Sequence, residues 1–181
     1  METILTEKYF WLSFLPISFL GVSFWLLLFD RFDGKNTPLK LLFIALFAGV
    51  FSALDMWIIG QYWSDPHSVI KIVLEEILKG FWAILIMEGM QHRFKTVGEG
   101  LIFGVSIGLG FALLENITYL FQQHSEAGFS PEFWLMFQGR MWGSTLLHAV
   151  TTAFFGLFYA SAYLSKPLQK CGHASPFHVF T

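Results

Sequence analysis

Residues 97–121 read VGEGLIFGVSIGLGFALLENITYLF, and this run decides the fold class. Apart from Glu99 and Glu115, it carries no charged side chain. A helix needs roughly 20 mostly apolar residues to cross about 30 Å of hydrocarbon, and this run is long enough to do so. Lipid cannot satisfy the polar groups of an open backbone, so helix is the expected state. The run therefore predicts a membrane-spanning helix.

Comparable apolar runs make up most of the remaining chain, at residues 9–29, 38–62, 68–90 and 140–163. The composition agrees, because only 13% of the residues are charged, against about 25% in an average soluble domain. The 22 Phe and 7 Trp are also more than one soluble core of this size could bury. We therefore predict an all-α, polytopic transmembrane bundle of about five spans. Residues 1–165 are expected to form one domain, with a polar, disordered tail at 166–181.

The distribution of basic residues predicts the orientation of the bundle. Cationic side chains lie in the first and third predicted loops and at the start of the second span: Arg31, Lys35, Lys40, Arg93 and Lys95. The fourth loop has none. Because basic loops stay in the cytoplasm, we place the N-terminus outside and the C-terminus in the cytoplasm. No basic cluster suggests nucleic acid as a partner, and the single Cys171 excludes an internal disulfide framework.

Several polar side chains lie at depths where a membrane protein normally avoids them. They are Asp55, Glu75, Glu76, Lys79, Glu115 and His148, with Asn116 and Arg140 beside them. At about 1.5 Å per helical residue, the ionisable groups on four spans lie about 10–12 Å below the predicted outer surface. Such groups usually face a cavity or one another, so we expect one shared polar site. Glu88 and Glu99 lie near the predicted cytoplasmic ends, where we expect them to meet water.

Helical spacing connects these side chains further. Lys79 lies three residues after Glu76 and four after Glu75, so it can reach either carboxylate. A polar stripe recurs every four residues on the last span, formed by Arg140, Ser144, His148 and Thr152. On the fourth span, a stripe of small residues is formed by Gly100, Gly104, Gly108 and Ala112. Small residues let helix backbones touch in lipid, so this stripe would hold Glu115 close to its neighbours.

These residue types suit peptide hydrolysis, which needs a base for water and donors for the developing oxyanion. Glu75 or Glu76, beside Lys79, could remain charged and act as the base, and Glu115 could share a proton or steer the water. The oxyanion donors would come from Asn116, Arg140 and His148, with Lys79 and Thr152 in support. The chain lacks HExxH, which excludes a standard zincin.

Two other functions fit the same cluster. A proton- or ion-coupled transporter would use the acids and the imidazole as a relay. A non-enzymatic membrane scaffold would use them as an ion-pair network that ties helices together. The residue pattern alone excludes neither the transporter nor the scaffold.

Three blocks in order resemble the PrsW family of intramembrane proteases, distant relatives of the CPBP membrane proteases that process CAAX proteins. The first block is VLEEILKG at residues 73–80, which carries the family's EExxK pattern. The second runs from Gly100 through the FxxxEN pattern to Tyr119. The third is Arg140 followed by His148. The resemblance covers about residues 65–163.

This resemblance implies an endopeptidase of the bacterial plasma (inner) membrane that cleaves a membrane-anchored protein. An anti-sigma factor is the kind of substrate that the resemblance implies. It implies that Glu75 is the base, Glu76 its partner and His148 a polarising group. CPBP members have His at the position of Glu115, so that residue's role does not carry over. We expect no required cofactor. A divalent metal such as zinc, if present, would use Glu75, Glu76, Glu115 and His148.

Overall fold

The structure, a computed structural model, describes residues 16, 18–29, 31, 37–62, 69–90 and 95–170, with side chains through residue 165. Every regular element in these ranges is helical, which confirms the all-α prediction. The elements are α1 (Ser18–Phe29), α2 (Leu39–Gly60), α3 (Val69–Gly89), α4 (Val97–Ala127), α5 (Pro131–Gln138), a π-helical segment (Gly139–Ser144) and α6 (Thr145–Lys170).

Three helical stretches within the described residues are long and apolar enough to cross a membrane: Leu39–Gly60, Val97–Ala127 and Pro131–Ser165. The described part of the first predicted span is the shorter apolar helix α1, and residues 9–15 lie outside the described residues. Helix α3 has 21 residues, but it carries the charged EExxK block and is not one of these three apolar stretches. Large apolar side chains on several helices face outward, as lipid contact requires: Phe47, Phe81, Phe154 and Phe158.

Two boundaries differ from those predicted. Helix α4 continues past residue 121 to Ala127, where Gly128 follows with a positive φ of 61°. Helix α6 continues to Lys170, past the predicted end of the last span at residue 163, and residues 171–181 lie outside the described residues. At Gly139 the chain passes from α5 through the π-helical segment into α6 without a break.

Helix α4 is the centre of the bundle and touches α6 backbone to backbone. A Cβ added at Gly104 would overlap the carbonyl oxygen of Thr152, and one at Gly108 would overlap that of His148. Glycine is therefore required where the two helices cross. This contact brings the Glu115 turn of α4 beside the His148 turn of α6.

The opposite side of α4 packs equally closely on α2. A Cβ at Gly110 would overlap the carbonyl oxygen of Leu46, and one at Gly49 would overlap that of Ile107. Around this contact lies a buried apolar cluster from α1, α2, α4 and α6, formed by Val22, Leu26, Leu42, Leu46, Ile102, Val105, Leu109, Leu113, Ala149 and Ala153. Helices α2, α4 and α6 thus form one close-packed unit.

Helix α3 packs on this unit through one half of its length. Ala83 and Met87 join a buried cluster with α2 and α4, and the indole of Trp82 stacks on Phe51. The other half of α3 lies at what we call the site end, the end of the bundle that holds Gly60, Val69 and Gln122. There a cavity lies between α2, α3 and α4.

The opposite end of α4 begins with a capping box that the sequence analysis did not use. Thr96 Oγ1 accepts a hydrogen bond from the Glu99 amide at 3.2 Å, and the Glu99 carboxylate accepts from the amides of Thr96 and Lys95. Glu99 is 7% exposed, so the prediction that it simply meets water is wrong. Glu88 is exposed and accepts a hydrogen bond from the Tyr159 hydroxyl.

Candidate active site

Glu115 on α4 is the point where two basic groups converge. Its Oε2 lies 2.8 Å from His148 Nε2 and 3.1 Å from Arg140 Nη2. The three side chains are 9–18% exposed. Arg140 Nη2 forms this ion pair without hydrogen-bond alignment, while its Nη1 donates to Ser144 Oγ at 3.2 Å. The sequence prediction that these groups lie together agrees with this geometry.

Lys79 extends this group to α3. Its side chain is fully buried, and its ammonium lies 2.6 Å from Glu76 Oε1 and 3.0 Å from His148 Nδ1. An ammonium can only donate, so His148 Nδ1 is the acceptor and the ring hydrogen is placed on Nε2. That hydrogen is then donated to Glu115. A continuous polar chain therefore connects α3, α6 and α4.

Glu75 is not part of this series of linked polar side chains. It is 9% exposed, and its nearest cation is Lys71, one turn earlier on α3, at 4.0 Å. Of the two carboxylates that Lys79 could reach by spacing, it pairs with Glu76. Among the described residues, Glu75 is thus a buried carboxylate held by one long ion pair.

The cavity at the site end has a volume of about 570 Å³ and exposes both Glu75 and Glu115. Its walls are formed by α2 and the residue after it (Ala53, Met56, Trp57, Gly60, Gln61), α3 (Lys71, Glu75) and α4 (Phe111, Leu114, Glu115, Thr118, Tyr119, Phe121, Gln122). Arg140, His148, Lys79 and Asn116 are not among the lining residues, so they lie behind the carboxylates. The space therefore adjoins two acids from different helices.

Sequence reasoning missed Lys71 and Tyr119 as parts of this site. Lys71 Nζ lies 3.4 Å from the Tyr119 hydroxyl oxygen, and the Arg140 guanidinium lies 4.0 Å from the centre of the Tyr119 ring. The spacing of four residues between Lys71 and Glu75 was a usable signal for the first residue. For Tyr119 the signal was its position four residues after Glu115, which places both on the same face of α4.

Asn116 supports the site from the side opposite the cavity. It is fully buried, and its amide donates to Thr145 Oγ1 at 2.8 Å and to the Arg140 carbonyl at 3.4 Å. Thr145 in turn donates to the Arg140 carbonyl at 2.7 Å. These bonds hold the π-helical segment that carries Arg140. π-Helical turns are rare and are frequent at functional sites.

Two residues singled out by sequence lie apart from the polar chain. Asp55 accepts a hydrogen bond of 2.8 Å from the Trp82 indole, so it joins α2 to α3. Thr152 is fully buried against α4, and its hydroxyl has no hydrogen-bond partner within the described ranges. Depth placed Asp55 near the cluster, but its side chain turns toward Trp82. Four-residue spacing placed Thr152 on the polar stripe, but it lies one turn beyond His148, where its hydroxyl meets no polar partner among the described residues.

Comparison with known proteins assigns the family. Residues 37–176 match a family model described as "PrsW family intramembrane metalloprotease". The chain belongs to the PrsW family. It is similar to Protease PrsW of Shouchella clausii (strain KSM-K16), with 32% identity over 44% of this chain and 46% of that protein. It is also similar to Protease PrsW of Bacillus subtilis (strain 168), with 32% identity over 55% of this chain and 49% of that protein.

The chain spans about half the length of these curated relatives. No solved structure matches it. Membership of the PrsW family, together with three apolar helices of spanning length, makes this an integral membrane protein. The resemblance first inferred from the EExxK, FxxxEN and Arg–His blocks is confirmed.

The PrsW family description names a metal, so the donor atoms of the site matter. Within the described residues, no group of three His, Cys, Asp or Glu side chains is arranged to hold a metal ion. Lys79 and Glu115 engage the two ring nitrogens of His148, and the Glu115 oxygen is shared with Arg140. With Lys79 and Arg140 already beside these donors, the arrangement does not fit a divalent metal.

Proposed function

We propose that this chain is an intramembrane endopeptidase that hydrolyses a membrane-anchored protein with Glu75 as the general base. The observation that supports this proposal is the cavity shared by Glu75 and Glu115, with the Arg140 cation paired to Glu115 from outside the cavity lining. A carboxylate that acts as a general base must be able to take a proton from the attacking water and pass it on. Membership of a protease family favours peptide hydrolysis over ion transport.

The roles follow from the pairing of each carboxylate. Glu115 contacts both Arg140 and His148, which stabilise its negative charge, so it orients the water. Glu75, with its long ion pair to Lys71, takes the water's proton as the oxygen attacks the peptide carbonyl. Glu75 then gives this proton to the amine as the carbon–nitrogen bond breaks.

The remaining charged residues fix this arrangement. Glu76 holds Lys79, and Lys79 donates to His148 Nδ1, which keeps the ring hydrogen on Nε2 and directed at Glu115. His148 therefore polarises Glu115. This network gives Glu76 a role in catalysis without direct contact with the peptide.

We further propose a multi-pass protein of the bacterial inner membrane, oriented with the site end outside. The site would then lie in the outer half of the bilayer, where the outer end of a substrate's single span enters the cavity. A single-span anti-sigma factor is the proposed substrate class. The bond cleaved lies near the boundary between that span and the outer compartment.

The test uses the purified full chain in liposomes with a panel of tagged single-span proteins, anti-sigma factors included. Wild type is compared with Glu75→Gln, Glu76→Gln and His148→Ala. We expect Glu75→Gln to reduce the rate by about 10²–10⁴-fold, the usual contribution of a general base. Glu88→Gln is the matched control, because Glu88 lies on the same helix but outside the cavity lining. This variant should cleave the substrate at the wild-type rate.

Cleavage by all three site variants at the wild-type rate would refute this mechanism. A chelator in the same assay tests the role of a metal, and we expect it to leave the rate unchanged. Proton flux into the liposomes without any proteolysis would instead indicate the transporter.

A further inference from the structure

Beside Glu75, the cavity contains a phenol that the proposed mechanism leaves without a role. Tyr119 lines the cavity and is half-buried. The Lys71 ammonium lies 3.4 Å from its hydroxyl oxygen and 5.8 Å from the centre of its ring. Arg140 packs against the same ring at 4.0 Å. Two cations from two different elements thus hold this one ring in place.

The direction of the Lys71 hydrogen bond determines where the phenol hydrogen is available. Because an ammonium carries only donors, the Tyr119 oxygen must accept. Its own hydrogen is then available to another acceptor, and no acceptor for it is found among the residues that the structure describes. A donated hydrogen bond also polarises the hydroxyl and makes it a stronger donor.

Of the other side chains expected to donate to an oxyanion, Arg140 and Thr152 lie outside the cavity lining, and His148 and Asn116 donate elsewhere. His148 donates to Glu115, and the amide of Asn116 donates to Thr145 and to a backbone carbonyl. On the cavity wall, the Thr118 hydroxyl donates to carbonyls of its own helix. Tyr119 therefore stands beside the base, in the cavity and with a hydrogen to donate.

We propose that Tyr119 is a catalytic residue that donates a hydrogen bond to the carbonyl oxygen of the scissile peptide as that oxygen becomes negative. This proposal rests on the endopeptidase function. The water oxygen bonds to the carbonyl carbon, the π electrons of the C=O bond move to oxygen, and the water's proton goes to Glu75. When the carbon–nitrogen bond breaks, the C=O bond reforms and Glu75 protonates the amine. Tyr119 keeps its proton throughout.

The first measurement compares Tyr119→Phe with wild type in the liposome assay. The variant keeps the ring against Arg140, and it removes the hydroxyl, which is both the proposed donor and the acceptor of the Lys71 hydrogen bond. We expect kcat to fall about 100-fold, because loss of one oxyanion donor costs about 10²–10³ in kcat. KM should change by less than about twofold, because the hydrogen bond forms in the transition state. Tyr62→Phe is the matched control, since Tyr62 is 88% exposed and lies outside the cavity lining.

The second measurement separates catalysis from structure by inhibitor affinity. A phosphinate peptide imitates the charged tetrahedral intermediate, whereas a reduced-amide peptide of the same sequence has no oxygen at that position. We expect Tyr119→Phe to weaken phosphinate binding about 100-fold and leave reduced-amide binding unchanged. An unchanged kcat, or equal weakening of both inhibitors, would overturn the proposal. A wild-type chain that cleaves nothing would instead contradict the endopeptidase function itself.

Discussion

The two sides of α4 at the polar site are packed in opposite ways. Toward α6, Gly104 and Gly108 bring backbone against backbone with no space for a single methyl group. Toward the site end of α3, about 570 Å³ of space separates the helices around Glu75. The same helix therefore has a closed face and an open face within a few turns.

The difference indicates a division of labour. The closed face holds Glu115 and His148 at 2.8 Å, a geometry that a loosely packed pair of helices could not maintain. The open face leaves Glu75 beside space that a peptide can enter. Rigidity and access are thus assigned to different sides of one helix, and each can be tested by changing one side alone.

The largest expected effect comes from breaking the closed face with Gly108→Leu. The new Cβ would overlap the His148 carbonyl, so α4 and α6 must separate. We expect the free energy of unfolding to fall by about 3 kcal/mol, the upper range for overpacking, and cleavage to be lost. Thermal unfolding in detergent micelles measures the first effect and the liposome assay the second.

The matched control adds the same side chain on α2, at the wall of the cavity that the open face adjoins. Gly60→Leu places its Cβ where no atom lies within 4 Å, so stability should change by less than about 0.5 kcal/mol. Because Gly60 lines the cavity, KM should rise while the fold persists. Equal destabilisation by the two leucines would contradict the proposed difference between the faces.

An intermediate effect is expected from Lys79→Met, which breaks the link between α3 and the closed face. The variant leaves Glu76 without its cation and His148 Nδ1 without its donor. Fully buried pairs cost roughly 3–5 kcal/mol to break, but the Glu76 side chain is 36% exposed, so we expect a loss of about 2 kcal/mol.

The double variant Lys79→Met/Glu76→Gln tests the origin of this loss. Removing the unpaired carboxylate should recover about half of the stability, without restoring cleavage. Thermal unfolding of both variants supplies the comparison. Strictly additive losses would show that the two side chains do not interact.

The sequence was enough to predict the closed face. Glycines at four-residue spacing predict close helix contact, and the EExxK spacing predicts that Lys79 reaches a glutamate. These are local patterns, each contained within one helix. The three motif blocks also sufficed for the family, which comparison then confirmed.

The open face was harder to predict, because it depends on directions between helices. Depth placed Asp55 level with Glu75, but Asp55 turns toward Trp82. The ion pair of Lys79 with Glu76, and not Glu75, depends on where α6 places His148. Arg140 contacts Tyr119 from within a π-helical segment. No residue pattern in that segment indicates the change in backbone hydrogen bonding.

The smallest expected effect concerns that π-helical segment, whose carbonyl at Arg140 is held by Thr145. Thr145→Val keeps the shape of the side chain and removes both hydrogen bonds of the hydroxyl, so stability should fall by about 1 kcal/mol. Thr152→Val is the matched control on the same helix, equally buried but without a hydrogen-bond partner among the described residues. It should leave stability unchanged or slightly raised, because valine replaces an unpaired hydroxyl. If thermal unfolding gave the same loss for both, the Asn116–Thr145 contact would have no part in holding Arg140 beside Glu115.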